Sequence, residues 1–292
     1  MGFLNGYLWA WILLVTWPLT ASPVLVDHQK KSFDLSQKKR MKVVSAFVGA
    51  DEIVLELLKD EPQRILALSP LARDARYSSI AEEAKRWPVF GEELESLIKL
   101  KPDLVIAARY TRLEWLRMLQ QAKIESFVLG NFSSLEDIMG NILIIGQLVA
   151  KEEAAQAVVA RMRAQLGQLA KSCPLRGKKV LNYNAEAQLL GQGTTFNDMM
   201  QRLGAENIGS SLGVKGWAVV SQEKLLTTKA DYIVVAGEIQ EKKKILAKLS
   251  GEMPWKHLDA VKQGRMILIP AAQLSSVSQH VLQAMETACA QL

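Results

Sequence analysis

The sequence is poor in the residues that most often carry chemistry. Its 292 residues include three histidines, His28, His257 and His280, and two cysteines, Cys173 and Cys289. None of these lies within metal-ligand spacing of another, so neither a resident metal nor a bare-metal cargo is expected. Three scattered histidines also nominate no catalytic triad. No Gly-x-Ser-x-Gly or P-loop occurs, and Gly191-Gln192-Gly193 lacks the third glycine and the strand-to-helix setting of a dinucleotide fingerprint. Catalysis is therefore not expected and no cofactor is assigned. An α/β enzyme of unassigned activity stands as the alternative from another class. The net charge of +6 is spread out, apart from Lys38-Lys39-Arg40 and Lys242-Lys243-Lys244. No recognition motif accompanies either run, so both read as solvated faces and no nucleic-acid partner is expected.

Charge is missing altogether from Met1 to Val26, and Leu8 to Val15 form an apolar centre. The stretch ends in Pro18-Leu19-Thr20-Ala21-Ser22, a small-residue region that reads as a secretory signal over residues 1–22. The alternative is an uncleaved membrane anchor formed by residues 1–26, which is just long enough to span a bilayer. Residues 23–41 read as a linker, polar and rich in Lys, Gln and Ser from residue 27 on. In an oxidising compartment Cys173 and Cys289 could pair. Two buried free thiols fit the sequence equally well.

Ordinary globular composition, 49% apolar and 23% charged, argues against disorder. Short apolar runs at Val43–Ala46, Arg64–Leu68, Leu104–Ala107 and Phe127–Leu129 alternate with helical spacing, as in an α/β lobe with a parallel sheet (residues 42–131). Proline is then absent from Ser133 to Lys171. A capping box of Ser133 with Glu136, and apolar residues at Leu135, Ile138, Ile142, Ile145 and Val149, predict one continuous helix over 132–172. About 38 residues would make a rod of roughly 57 Å. The alternation resumes at Lys179–Tyr183, Asp231–Val235 and Met266–Ile269. A helix over Phe196–Leu203 and a last one from Ser276 complete a second lobe, residues 173–292. The expected fold is two α/β lobes with parallel central sheets, joined by one long backbone helix, with a cleft between them.

Four blocks carry a family resemblance. They are Lys42-Val43-Val44-Ser45 with Ala50-Asp51-Glu52-Ile53; Leu94-Glu95-Ser96-Leu97 with Leu100-Lys101-Pro102-Asp103-Leu104-Val105-Ile106; Ala205-Glu206-Asn207-Ile208 with Trp217 and Val220 to Leu226; and Trp255 to Ala260 with Gly264-Arg265. In this order they resemble the helical-backbone class of periplasmic substrate-binding proteins, which serve ABC importers of ferric siderophores, haem and cobalamin. The resemblance covers about residues 41–292. It implies an exported receptor, monomeric when free, whose partners are a membrane permease and a bulky metal chelate, and which does no chemistry. A membrane-tethered sensor that kept the fold but lost import is a second alternative.

The resemblance also implies roles for residues. Glu95 and Glu223 align with the acidic residue that each lobe offers to basic residues of the permease. Trp217, six residues before Glu223, sits where the family often places an aromatic facing the ligand. That spacing resembles the cobalamin receptor's and favours cobalamin slightly over haem or a siderophore. The loop Ser69–Tyr77 departs from the Tyr-Pro-containing loop of better-known members, which leaves the ligand open. Further ligand candidates are Tyr77 and Arg76 in that loop, Arg109 and Tyr110 after a strand end, and Trp87 and Phe196.

Overall fold

The computed structural model describes residues 24–35, 41–91, 94–183 and 188–292. The expected signal segment at 1–22 and the triplet Lys38-Lys39-Arg40 fall outside them. Strands β1 (Val24–Val26) and β2 (Ser32–Asp34) form an antiparallel hairpin. The first lobe follows with β3 (Val43–Ser45), α1 (Val48–Leu57), β4 (Ile65–Ala67), α2 (Leu94–Leu100), β5 (Leu104–Ala108), α3 (Leu113–Gln121) and β6 (Ser126–Leu129). Its sheet is parallel throughout, in the order β4-β3-β5-β6.

Helices α4 (Leu135–Leu148) and α5 (Glu152–Ser172) lead to the second lobe. That lobe comprises β7 (Lys179–Tyr183), β8 (Gln188–Leu190), α6 (Thr195–Arg202), β9 (Glu206–Asn207), α7 (Ile208–Ser211), β10 (Trp217–Val219), α8 (Gln222–Leu226) and β11 (Tyr232–Ala236). It closes with α9 (Lys242–Gly251), α10 (Asp259–Lys262), β12 (Met266–Ile269), α11 (Ala271–Leu274) and α12 (Val281–Cys289). Its main sheet is parallel in the order β12-β11-β7-β9, while β8 and β10 pair antiparallel beside it. Counted in chain order within each lobe, both parallel sheets run second, first, third, fourth.

Both faces of each sheet are covered, which is why the strands read as unbroken apolar runs rather than alternating ones. In the first sheet Val43, Leu104, Ile106, Phe127 and Leu129 face one core, and Val44, Val105, Ala107 and Val128 face another. In the second, Val180, Val234, Ile267 and Ile269 join that same first core, while Leu181, Ile233, Val235 and Leu268 face a third. The shared core also takes in the buried faces of α4, α5 and α12. The two lobes are thus packed onto a common helical layer, not merely tethered.

The single rod expected at 132–172 is corrected to two helices. Ala150 adopts φ +53°, its N–H bonds the Gln147 carbonyl and the Lys151 N–H bonds the Gly146 carbonyl at 2.7 Å. This pair of bonds is a Schellman stop, and α5 then folds back over α4. Residues 146 and 155 would be about 13 Å apart in a straight helix; here a Cβ on Gly146 would lie 2.4 Å from that of Ala155. The break was hidden because alanine, not glycine, holds the left-handed position. The N-cap also moves by one residue: Ser134 Oγ accepts from the Asp137 N–H at 3.1 Å.

The linker expected at 23–41 is in part structured. Phe33 is buried edge-on to Phe127 with centroids 5.8 Å apart, and the His28 N–H bonds the Val128 carbonyl at 2.8 Å. The hairpin thereby covers the otherwise open edge of β6. At the other end of the chain, Cys173 and Cys289 form a disulfide that ties the end of α5 to the end of α12. The helix expected from Ser276 begins only at Val281. The intervening Ser276 and Ser278 instead donate their hydroxyls to Glu52.

Candidate ligand cleft

A cavity of about 510 Å³ opens at the carboxyl ends of β3, β4 and β5, the edge at which parallel α/β sheets present ligand contacts. Phe47 comes from the turn after β3 and Gly49 from the first turn of α1, Ser69 to Leu71 and Tyr77 from the loop after β4, Tyr110 to Arg112 from the β5–α3 connection, and Trp115 from the first turn of α3. The fourth wall, Ser275 to Val277, arrives from the second lobe. The long loop after β4 is pinned shut at its base: the Leu68 N–H bonds the Pro88 carbonyl at 2.9 Å and the Phe90 N–H bonds the Leu68 carbonyl at 3.1 Å.

Five aromatic rings, Phe47, Tyr77, Phe90, Tyr110 and Trp115, contribute to the lining. Phe47 packs edge-on against Tyr110 at 6.0 Å and Phe132 at 5.6 Å, and Phe90 stacks on Trp115 at 5.8 Å. Edge-to-face and offset ring pairs of this kind fix each ring's orientation. Gly49 allows the fourth wall to close in, because a Cβ there would lie 2.5 Å from Val277 Cγ2.

Beneath the rings lies a buried acidic pair at the start of α1. Glu52, 1% exposed, accepts through Oε1 from the Ser79 N–H at 2.9 Å and through Oε2 from the hydroxyls of Ser276, at 3.1 Å, and Ser278. Its carbonyl takes the Gln279 side-chain amide at 2.9 Å. One residue earlier, Asp51 accepts from the Ser69 N–H at 2.9 Å and from the hydroxyls of Ser45 and Ser69. Burial pushes the Asp51 carboxyl up to about 7; the serine bonds pull the other way, and the neighbouring Glu52 adds to the rise.

Of the residues nominated from sequence, Tyr77 and Tyr110 line the cavity. Arg76 is exposed; it pairs with Asp74 at 2.6 Å and lies 5.5 Å over the Tyr77 ring, so it braces that ring. Arg109 is exposed beside Tyr110 and its N–H bonds the Leu129 carbonyl. Trp87 is not part of the lining; its indole N–H bonds the Pro62 carbonyl at 3.2 Å. Trp217 stands 67% exposed on β10, opposite Leu190 of β8, and is not part of the cavity wall either. Phe196 is a core residue. Glu95 is exposed on α2 and Glu223 on α8, where its own backbone amide and the Ser221 hydroxyl hold its carboxyl below the usual range.

Phe47, Trp115, Arg112, Glu52 and the serine segment were not nominated from sequence. Phe47 follows a strand end, the same signal that found Tyr110, whereas Trp115 lies inside α3. Among the described residues no group of three or more His, Cys, Asp or Glu could hold a metal ion, and no helix is long and apolar enough to cross a membrane.

The family model described as periplasmic binding protein matches residues 43–273, from β3 into α11. The chain belongs to that family. This periplasmic binding protein is 22% identical over 286 residues to the uncharacterized ABC transporter substrate-binding lipoprotein YvrC of Bacillus subtilis (strain 168), covering 89% of this chain and 88% of that one. It is 27% identical over 219 residues to the vitamin B12-binding protein of Pectobacterium atrosepticum, covering 60% of this chain and 72% of that one. The solved periplasmic haem-binding protein HutB of Vibrio cholerae superposes with a TM-score of 0.71 at 21% identity, over 85% of this chain and 97% of that one. The periplasmic vitamin B12-binding protein BtuF of Vibrio cholerae gives 0.66 at 21% identity, over 86% and 96%. These likenesses establish the two-lobed fold.

Proposed function

We propose that this chain is the exported substrate receptor of an ABC importer, which captures a bulky metal chelate and hands it to the membrane permease. The observation that carries this reading is the aromatic-walled cavity at the strand ends, roofed by a segment of the other lobe. Its volume lies within the usual range for small-molecule sites, about 300–1,000 Å³. Rings such as Phe47, Tyr77 and Tyr110 suit the flat faces of a corrin or porphyrin, and Arg112 at the wall suits a peripheral carboxylate or phosphate. Proteins similar to this one bind vitamin B12 or haem by name, and cobalamin is favoured slightly. Trp217, exposed on β10 outside the cavity wall, would meet only a part of the ligand that projects beyond the cavity. Glu95 and Glu223, one on each lobe, would dock onto permease arginines.

The test is a visible absorption spectrum of the purified protein after mixing with cobalamin, haemin or a ferric siderophore and desalting. One chromophore should co-elute near one to one, and Tyr110→Ala should reduce its retention at least tenfold. Retention of none of the three, or retention untouched by Tyr110→Ala, would remove the reading.

A further inference from the structure

The floor of the cavity carries negative charge that no cation opposes. Of the side chains lining the cavity, Glu52 and Arg112 are the charged ones, and they stand at different depths. Glu52 is buried at the base, whereas Arg112 is exposed at the wall. Asp51, fully buried, lies directly behind the floor, because both of its oxygens accept from Ser69, which lines the cavity. Buried carboxylates are ordinarily matched with a cation. Here the partners of both side chains are hydroxyls and backbone amides. Among the described residues no lysine, arginine or histidine forms an ion pair with either.

The charge reaches the cavity itself. Partial desolvation, and after it the Asp51 charge, push the Tyr110 hydroxyl on the lining up to about 12. A ligand seated between the rings meets the same field.

We propose that Asp51 and Glu52 select the ligand by charge: the edge of the chelate seated at the floor is neutral or cationic, and any carboxylate it bears is held at the Arg112 side of the wall. This rests on the receptor reading above and narrows its ligand class. An anionic edge at the floor would face two carboxylates across a gap with little water to screen them. An amide or ammonium edge finds an acceptor there instead. Glu52 takes three hydrogen bonds on its side chain, and a carboxylate has about four lone-pair sites.

The experiment measures the Kd of matched ligand pairs by visible absorbance, on the intact receptor at pH 8.5 and pH 5.5, for wild type and Asp51→Asn. The pairs are cyanocobalamin and its hydrolysed form with carboxylates around the ring; haemin and iron coproporphyrin, whose carboxylates occupy both sides of the ring; and ferrioxamine B and its succinylated, anionic form. A unit charge about 7 Å from an ionised carboxylate, at an effective dielectric of about 20, corresponds to about ten- to hundredfold in affinity. Whichever pair binds, the first-named member should therefore bind at least about tenfold more tightly at pH 8.5. Asp51 titrates near 7, and the titratable groups that bear on it are Glu52 on its own helix and Tyr110 across the cavity. Tyr110 keeps its proton at both pH values. Asp51→Asn should narrow the gap about tenfold at pH 8.5 and leave it within about twofold at pH 5.5, where the wild-type carboxyl is protonated. The wild-type gap should also shrink from pH 8.5 to 5.5, which keeps the test open if the variant does not fold. Equal binding of both members at pH 8.5 overturns the inference and leaves the receptor reading intact. A gap that Asp51→Asn leaves unchanged at pH 8.5, or that pH leaves unchanged in wild type, assigns selection to fit rather than charge and overturns it as well. Retention of no ligand from any pair removes the receptor reading, and this inference with it.

Discussion

Asp51 offers the sharpest test of the physics beneath the cleft. Its carboxyl is fully buried and titrates near 7 rather than the ordinary 3.8. A folded-state value above the unfolded one means that the folded protein holds the proton more tightly. Between about pH 4 and 7 the unfolded chain has released it and the native protein has not, so stability falls as pH rises and levels off above about 7. The full shift corresponds to roughly 4 kcal/mol, of which about 3 kcal/mol falls between pH 5 and 8.5. Asp51→Asn removes the ionisation and keeps the shape. Its Oδ1 still accepts from the Ser69 N–H and the Ser45 hydroxyl, and its amide donates to Ser69 Oγ once that hydroxyl turns. Urea unfolding of both proteins at the two pH values should show the variant gaining about 3 kcal/mol on wild type from pH 5 to 8.5. Because other titrating groups are common to both proteins, they cancel in that comparison. Parallel pH profiles would refute the argument that desolvation governs this carboxyl.

Two further outcomes follow from the backbone. Ala150→Gly should raise stability by about 0.5–1 kcal/mol, read from the urea midpoint, since alanine holds a left-handed position that glycine adopts without strain. The Cys173–Cys289 bond closes a separation of 116 residues, for which chain entropy gives up to about 5 kcal/mol. Dithiothreitol should lower the melting temperature of the wild type and leave that of Cys173→Ser unchanged.

Seven of the eight strands in the two parallel sheets were legible as apolar runs, because strands covered on both faces carry no polar alternation to confuse them. The two-residue β9 and the β8–β10 pair lacked such a run. The helix stop at Ala150 was illegible for a different reason. Its bonding pattern is a glycine motif executed by alanine, so composition gave no mark. The site divided along similar lines. Tyr110 was nominated from a strand end and Tyr77 from the divergent loop after β4, and both line the cavity. Glu52 could not, since its hydroxyl partners lie 224 and 226 residues away, and nothing local distinguishes a glutamate that will be buried from one on a solvated helix. Trp87 drew attention as an aromatic, yet its indole N–H is used on the Pro62 carbonyl.

The hydrogen bonds around Glu52 also decide which parts of the cleft can yield to a ligand. Three stretches distant in sequence, the first turn of α1, Ser79 and the segment Ser276 to Gln279, meet on this one residue. Releasing Ser79 or the serine segment would leave one buried Glu52 oxygen without its donors, a cost of about 1–3 kcal/mol. Gly49 is already in contact range of Val277, so the wall cannot move inward. The base of the cavity is therefore fixed by polar bonds and steric contact together. Its rim is held differently: Leu71, Tyr77 and Tyr110 are substantially exposed, and reorienting them costs rotamer changes and ring contacts rather than buried hydrogen bonds. On the proposed receptor reading, adjustment to a ligand then belongs to the rim aromatics rather than to the shared core that joins the two lobes.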